Sequence, residues 1–392
     1  MKKIGFVIPW FADNIPGGAE AALHGILSYI TAYGVETEVL TTCVEQLASD
    51  WNINYYPEGV DTAAGVQVRR FPVRKRDTQA FNEINVKLFY RKPISDEEET
   101  YLRESINSPE LYEYIEKNKD DYSLFVFIPY MYGITYYGCR ICPEKSILIP
   151  CLHDEGHAYL SGFRDVYSKI KGMIFNTIPE YELAEKLFDL KNVDTEVIGI
   201  GTDTDISGSS ERFKDKYSIN DDFILYAGRK SEGKNLHTLV DYFTEYKKRN
   251  PGKLKLVLIG DGNINIPEQV KGDIIDLGFV PKQDKYDAFT AALVLCQPSL
   301  NESFSIVLME SWLCSRPVLV HAGCPVTKSF ILESHGGLFF ANYGEFEGCI
   351  DYLAINKISA DTMGTQGRQF VINNYNWDAI IDKYIKFFGR IS

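Results

Sequence analysis

Strand-like apolar runs alternate with helical patterns along most of the chain, and this alternation constrains the fold more than any single motif. The runs begin near Ile4, Glu38, Val66, Leu124, Ser146, Met173 and Glu196. They resume near Phe223, Leu254, Ile274, Leu293, Val318 and Leu338. Strand, helix, strand closes most economically as a right-handed crossover in a parallel sheet, so the expected class is α/β. A polar, Ser-rich stretch from Asp203 to Arg212 separates the two series and reads as a linker. Two domains are expected, residues 1–200 and 201–392, and 392 residues give each room for its own core.

Hydrophobic content of 45% and charged content of 24% are those of a globular protein. A net charge of -13 argues against nucleic acid as a partner. No apolar stretch approaches the roughly 20 residues that span a bilayer. Lys2-Lys3 precedes only a short apolar run that Asp13 interrupts, which fits a first strand better than a secretory leader. With eight scattered cysteines, the expected compartment is a reducing cytoplasm. Cys139 and Cys142 form one C-x-x-C without a second pair at zinc spacing and are expected to be ordinary thiols.

The residues from Gln297 to Val320 carry the chemistry. An apolar run ends at Pro298, a polar loop follows, then a helix-like string from Phe304 to Cys314, then a β-branched run after Pro317. Ligands of open α/β sheets bind where strands end and helices begin, because free N–H groups and the helix dipole point there. Ser303, Phe304 and Ser305 would supply such N–H groups. Glu302 and Glu310 stand eight positions apart. Eight helical residues rise about 12 Å with side chains roughly 80° apart, a spacing that suits opposite ends of one long ligand better than the two faces of a glycosidic bond. A solvated helix charge and a loop charge are the plain alternative.

This pattern resembles the retaining glycosyltransferases of family 4, which have a GT-B fold: two Rossmann-like domains with parallel sheets facing each other across a cleft. Tyr226-Ala227-Gly228-Arg229 and Lys234-Asn235-Leu236 are similar to the family's diphosphate-binding segment. Fixed cations aimed at a departing diphosphate lower the barrier to breaking a sugar–phosphate bond. Pro16-Gly17-Gly18-Ala19-Glu20, before the helical run from Ala21 to Tyr33, is similar to the family's glycine loop. His153 matches a family histidine beside the donor sugar. The helix from Trp377 to Phe388 resembles the family's last helix, which crosses back onto the first domain.

The resemblance implies a hexosyltransferase that uses a nucleotide-diphosphate sugar and keeps the anomeric configuration. Glu302 would hold the donor sugar with Ser303, Phe304 and Ser305 and, with His153, carry catalysis. Arg229, Lys234, Gly17 and Gly18 would hold the diphosphate, and Glu310 the ribose. No metal and no cofactor are expected. The acceptor would be a glycan, a lipid-linked glycan or a protein, in bacterial cell-surface polysaccharide or glycan synthesis. A nucleotide-sugar epimerase of the same architecture, a sugar phosphorylase and a non-catalytic nucleotide-sugar-binding subunit are the alternatives. Many relatives have glycine where this chain has Ser303 and Ser305, and before the Pro-Val pair where it has Arg316.

Two other motifs point elsewhere. His153-Asp154-Glu155-Gly156-His157 is near the zinc signature H-E-x-x-H, but that signature needs an unbroken helix and Gly156 weakens one. Asp203-Thr204-Asp205 matches a D-x-D metal signature, yet it opens the linker. Finally, the stretch from Cys43 to Asn107 has no clear period, holds Trp51, Tyr55 and Tyr56, and is expected to shape the acceptor site. Within it Arg69, Arg70, Arg74, Lys75 and Arg76 form either a solvated edge or a patch for a phosphorylated acceptor or an anionic membrane, giving peripheral contact at its inner face.

Overall fold

The computed structural model describes residues 2–13, 15, 17–94 and 96–391, so Pro16 of the glycine loop lies outside the described residues. The chain divides into two compact units: Met1–Gly201 with Trp377–Ser392, and Thr202–Asn376.

In the first unit, β1 (Lys3–Ile8), β2 (Thr37–Thr42), β3 (Gly59–Ala63), β4 (Val66–Phe71), β5 (Tyr122–Phe127), β6 (Ser146–Leu148), β7 (Gly172–Phe175) and β8 (Asp194–Val197) make one sheet. Its order is β3-β4-β2-β1-β5-β6-β7-β8. All neighbours are parallel except β3 and β4. Phe6, Val7 and Ile8 are all fully buried, as expected of a strand with helices on both faces. The closing helix Trp377–Ile391 belongs to this unit. A Cβ on Gly25 would lie 1.9 Å from Trp377, and one on Gly201 2.2 Å, so only glycine lets the indole seat between them.

The second unit contains β9 (Phe223–Ala227), β10 (Lys255–Ile259), β11 (Ile274–Asp276), β12 (Val294–Gln297), β13 (Val318–His321) and β14 (Gly337–Phe340), all parallel in the order β11-β10-β9-β12-β13-β14. This is the doubly wound order, in which the winding reverses beside the first strand. Here the reversal lies between β9 and β12.

The stretch from Cys43 to Asn107 is ordered: β3 and β4 form an antiparallel pair, and helices span Thr78–Phe89 and Glu98–Glu104. Its signal was weak because four of the five β3 residues are exposed, leaving no apolar alternation. Trp51 packs against Trp10, Phe81 and Tyr132. In the basic cluster Lys75 is exposed, while the arginines are engaged by neighbouring side chains. Arg69 pairs with Glu38 at 2.9 Å, Arg74 with Glu104 at 3.1 Å, and Arg76 lies 4.5 Å over the Trp51 ring. Arg70 is only 4% exposed. Cys139 and Cys142 are buried free thiols, and burial pushes the Cys142 thiol up to about 12.

Candidate active site

At the winding reversal of the second sheet, the loops after β9 and β12 are adjacent, and two side-chain contacts join them. Lys234 Nζ stands 2.7 Å from Glu302 Oε1, with the carboxylate buried and the lysine one-third exposed. Beside it, Asn235 Nδ2 donates to the Pro298 carbonyl at 2.9 Å. Asn235 adopts φ 55°, a left-handed conformation that asparagine tolerates, and caps the helix Leu236–Arg249. The Tyr226 hydroxyl donates to the Arg229 carbonyl at 2.7 Å and fixes the turn that exposes Arg229. Burial and then the charge of Glu302 keep the Tyr226 hydroxyl protonated far above its ordinary range. Lys230 differs from its neighbour: it is buried and bound to Asp276 at 2.8 Å, so only Arg229 of the pair is open to a ligand.

Glu302 lies in a loop, and the helix starts later, at Ile306, so a helical rise does not describe the glutamate pair. Before the helix, Ser305 sits at φ 76°, which explains physically why glycine suits this position. Phe304 is buried against Phe330 and Tyr375, so only its backbone can serve a ligand. Ser299 Oγ, Ser305 Oγ and Gln297 Oε1 are buried polar atoms without a hydrogen-bond partner among the described residues. Ser303 is partly exposed.

Glu310 is held separately. Its Oε1 accepts from Lys285 Nζ at 2.7 Å, while its buried Oε2 has no hydrogen-bond partner among the described residues. Lys285 comes from the helix Lys282–Ala291 and was missed in the sequence, as was the loop-joining role of Asn235. A lysine in a polar helix looks like any solvated charge. The Asp203 carboxylate of the D-x-D motif is exposed, 4.0 Å from Lys282.

The remaining candidates lie in the first unit, at the carboxyl ends of β1 and β6. Gly18 opens the helix Gly18–Ile30, and a Cβ there would meet nothing within 4 Å. Gly17 is crowded, because a Cβ on it would lie 1.8 Å from Glu20 Oε2. The buried Glu20 therefore lies over the helix start, and its other oxygen accepts from Trp10 Nε1. His153 is partly exposed, its Nδ1 3.7 Å from Glu155 Oε1, which also accepts from the Tyr130 hydroxyl at 3.0 Å. His157 binds Asn85 at 2.8 Å. Only a short 3-10 turn, Gly156–Tyr159, forms here, so the helix that a zinc signature needs is absent.

Residues 209–370 match the family model described as glycosyl transferases group 1, a span that contains Arg229, Lys234, Glu302 and Glu310. Over that span the chain is similar to the group 1 glycosyltransferases. The chain is 25% identical over 231 residues to the D-inositol 3-phosphate glycosyltransferase of Kribbella flavida, covering 54% of each. It is 27% identical over 245 residues to the enzyme of that description from Acidothermus cellulolyticus, covering 56% of this chain and 53% of the relative. It thus spans about half the length of the curated relatives it matches.

Its fold is that of the GT-B glycosyltransferases. Anabaena HepE in complex with UDP and glucose superposes with a TM-score of 0.73 over 100% of both chains, at 14% identity. Sucrose-phosphate synthase from Thermosynechococcus elongatus gives 0.74 over 100% of this chain and 99% of that one, also at 14% identity.

Proposed function

We propose that this chain is a group 1 glycosyltransferase, a metal-independent, retaining hexosyltransferase that moves a sugar from a nucleotide-diphosphate donor to a hydroxyl of a glycan, a lipid-linked glycan or a protein. The observation that carries this reading is the Lys234–Glu302 pair at the winding reversal of the second sheet, with exposed Arg229 on the neighbouring turn. Arg229 and Lys234 would neutralise the diphosphate as its bond to the sugar lengthens. Glu302 would face the positive charge that develops at the anomeric carbon and hold sugar hydroxyls. Preorganised charges of this kind stabilise a transition state without reorganising when the bond breaks.

Glu310 is assigned to the ribose, its free Oε2 accepting a hydroxyl while Lys285 holds Oε1. Ser303, Phe304 and Ser305 are assigned to the donor sugar, the buried hydroxyl of Ser305 supporting this. Gly17 and Gly18 are assigned to the diphosphate and His153 to the sugar and acceptor. HepE, with UDP and glucose in its complex, supports a UDP-sugar as the first donor to try. Among the described residues no helix is long and apolar enough to cross a membrane. A cytoplasmic enzyme of cell-surface glycan synthesis, touching the inner membrane face only peripherally, is the setting we infer.

Turnover separates the possibilities. Nucleoside diphosphate release from UDP-glucose should accelerate when a hydroxyl acceptor is added, and the product glycoside should keep the donor's anomeric configuration by NMR. Acceptor-independent conversion of the donor to another sugar nucleotide would identify an epimerase. Binding without turnover of any donor, with any acceptor, would identify a binding subunit.

A further inference from the structure

A cavity of about 370 Å³ lies within the first unit, beside the β3–β4 pair, lined by Asp13, Glu45, Tyr56, Asp61 and Arg70 among others. Its size is near the lower end for small-molecule sites, enough for one sugar ring with room to spare. Its wall contains an unfinished polar group. Arg70 is 4% exposed, its Nη1 donates to the Phe11 carbonyl at 2.8 Å, and its guanidinium lies 4.3 Å over the Tyr56 ring. Its Nε is buried without a hydrogen-bond partner among the described residues, the nearest carboxylate oxygen, Asp61 Oδ2, being 3.9 Å away. A buried donor left in that state is costly.

The charge balance of the wall decides what that ligand can be. Asp13, Glu45 and Asp61 face one guanidinium. Asp13 and Asp61 each give one oxygen to a backbone N–H, of Ala64 and Thr62 respectively, both at 2.7 Å. Their second oxygens and the Glu45 carboxylate remain as acceptors. A phosphate or carboxylate group would enter against a net negative wall, whereas hydroxyls and ammonium groups would find acceptors. The cations that could have offset this, Arg69, Arg74 and Arg76, are engaged elsewhere.

We propose that this cavity binds a glycosyl unit of the acceptor that is rich in hydroxyls and free of anionic groups, a protonated amine being the favoured substituent. The proposal rests on reading the chain as a glycosyltransferase and narrows its acceptor. It separates this chain from a relative whose name specifies a phosphorylated acceptor.

The test is saturation-transfer NMR on the full chain with methyl glycosides of the common hexoses, their 2-amino-2-deoxy counterparts and their 6-phosphates. Hexosamines should bind most tightly, neutral hexosides next and phosphates least. In Glu45→Gln/Asp61→Asn the amine preference should fall about tenfold, which is about 1.4 kcal/mol. Both substitutions keep the shape of the side chain, and retained UDP binding reports that the variant is folded and the donor site intact. Tightest binding by the phosphates, no binding by any glycoside, or an unchanged preference in the double variant would overturn the proposal. Absence of UDP binding in the wild type would instead count against the transferase reading, because the glycoside titrations do not depend on it.

Discussion

Lys234 and Glu302, 68 positions apart in sequence, meet at 2.7 Å where the second sheet reverses its winding. The contact couples the cation assigned to the diphosphate with the carboxylate assigned to the sugar. Loss of either should therefore disturb both assignments. Lys234→Ala and Glu302→Gln are each expected to lower kcat/KM by on the order of 10²–10³-fold, and the double variant by less than the product of the two. A double-mutant cycle on donor turnover checks this; strict additivity would mean that the two side chains act independently.

Lys285 binds one oxygen of Glu310, and the other has no hydrogen-bond partner among the described residues. Lys285→Ala should weaken nucleotide binding by roughly tenfold, about 1.4 kcal/mol, without an equal effect on the sugar part. Comparing UDP with uridine-free pyrophosphate by calorimetry separates the contributions: pyrophosphate affinity should stay unchanged.

Ser305 occupies a left-handed conformation at φ 76° with a buried, unpartnered hydroxyl. Ser305→Gly removes both costs, and thermal unfolding should show a gain of about 1 kcal/mol or less after the extra flexibility of the unfolded glycine chain is counted. Ser305→Val should cost about 1–3 kcal/mol, because a β-branched residue is poorly tolerated there. Equal melting temperatures for the two variants would contradict the backbone reading.

Glu180 is 1% exposed in the first unit and accepts N–H groups of Leu152 and Asn176, each at 2.6 Å. Burial pushes its carboxyl up to about 8, against the pull of those backbone donors. A carboxyl raised in the folded state keeps a proton that the unfolded chain has lost. Between pH 4.5 and about 8, raising the pH should therefore lower stability. Glu180→Gln, which faces one backbone donor with an NH₂, should lose about 1–3 kcal/mol and flatten that slope in melts across the window. An unchanged slope would remove Glu180 as its source.

Much of the fold was legible because its strands are buried on both faces and read as unbroken apolar runs, as in β1 and β9. The exposed β3 offered no such run. Glu302, Glu310, Arg229 and Lys234 stood out through their order along the chain, not through charge alone. Linear charge density misled at Arg69–Arg76, where side chains find Glu38, Glu104 and Trp51 from distant segments. Lys285 and the Asn235–Pro298 bond were invisible for the same reason: a tertiary partner leaves no local pattern.

On the proposed function, protein cations at the second sheet hold a nucleotide diphosphate without a metal. Calorimetric titration of UDP, GDP, ADP and their common sugar conjugates in excess EDTA tests it most directly, on the wild type and on Arg229→Ala/Lys234→Ala. Saturable binding of one nucleotide family to the wild type is expected, with its collapse in the double variant and folding unchanged. Binding that requires added metal, or that survives loss of both cations, would contradict it.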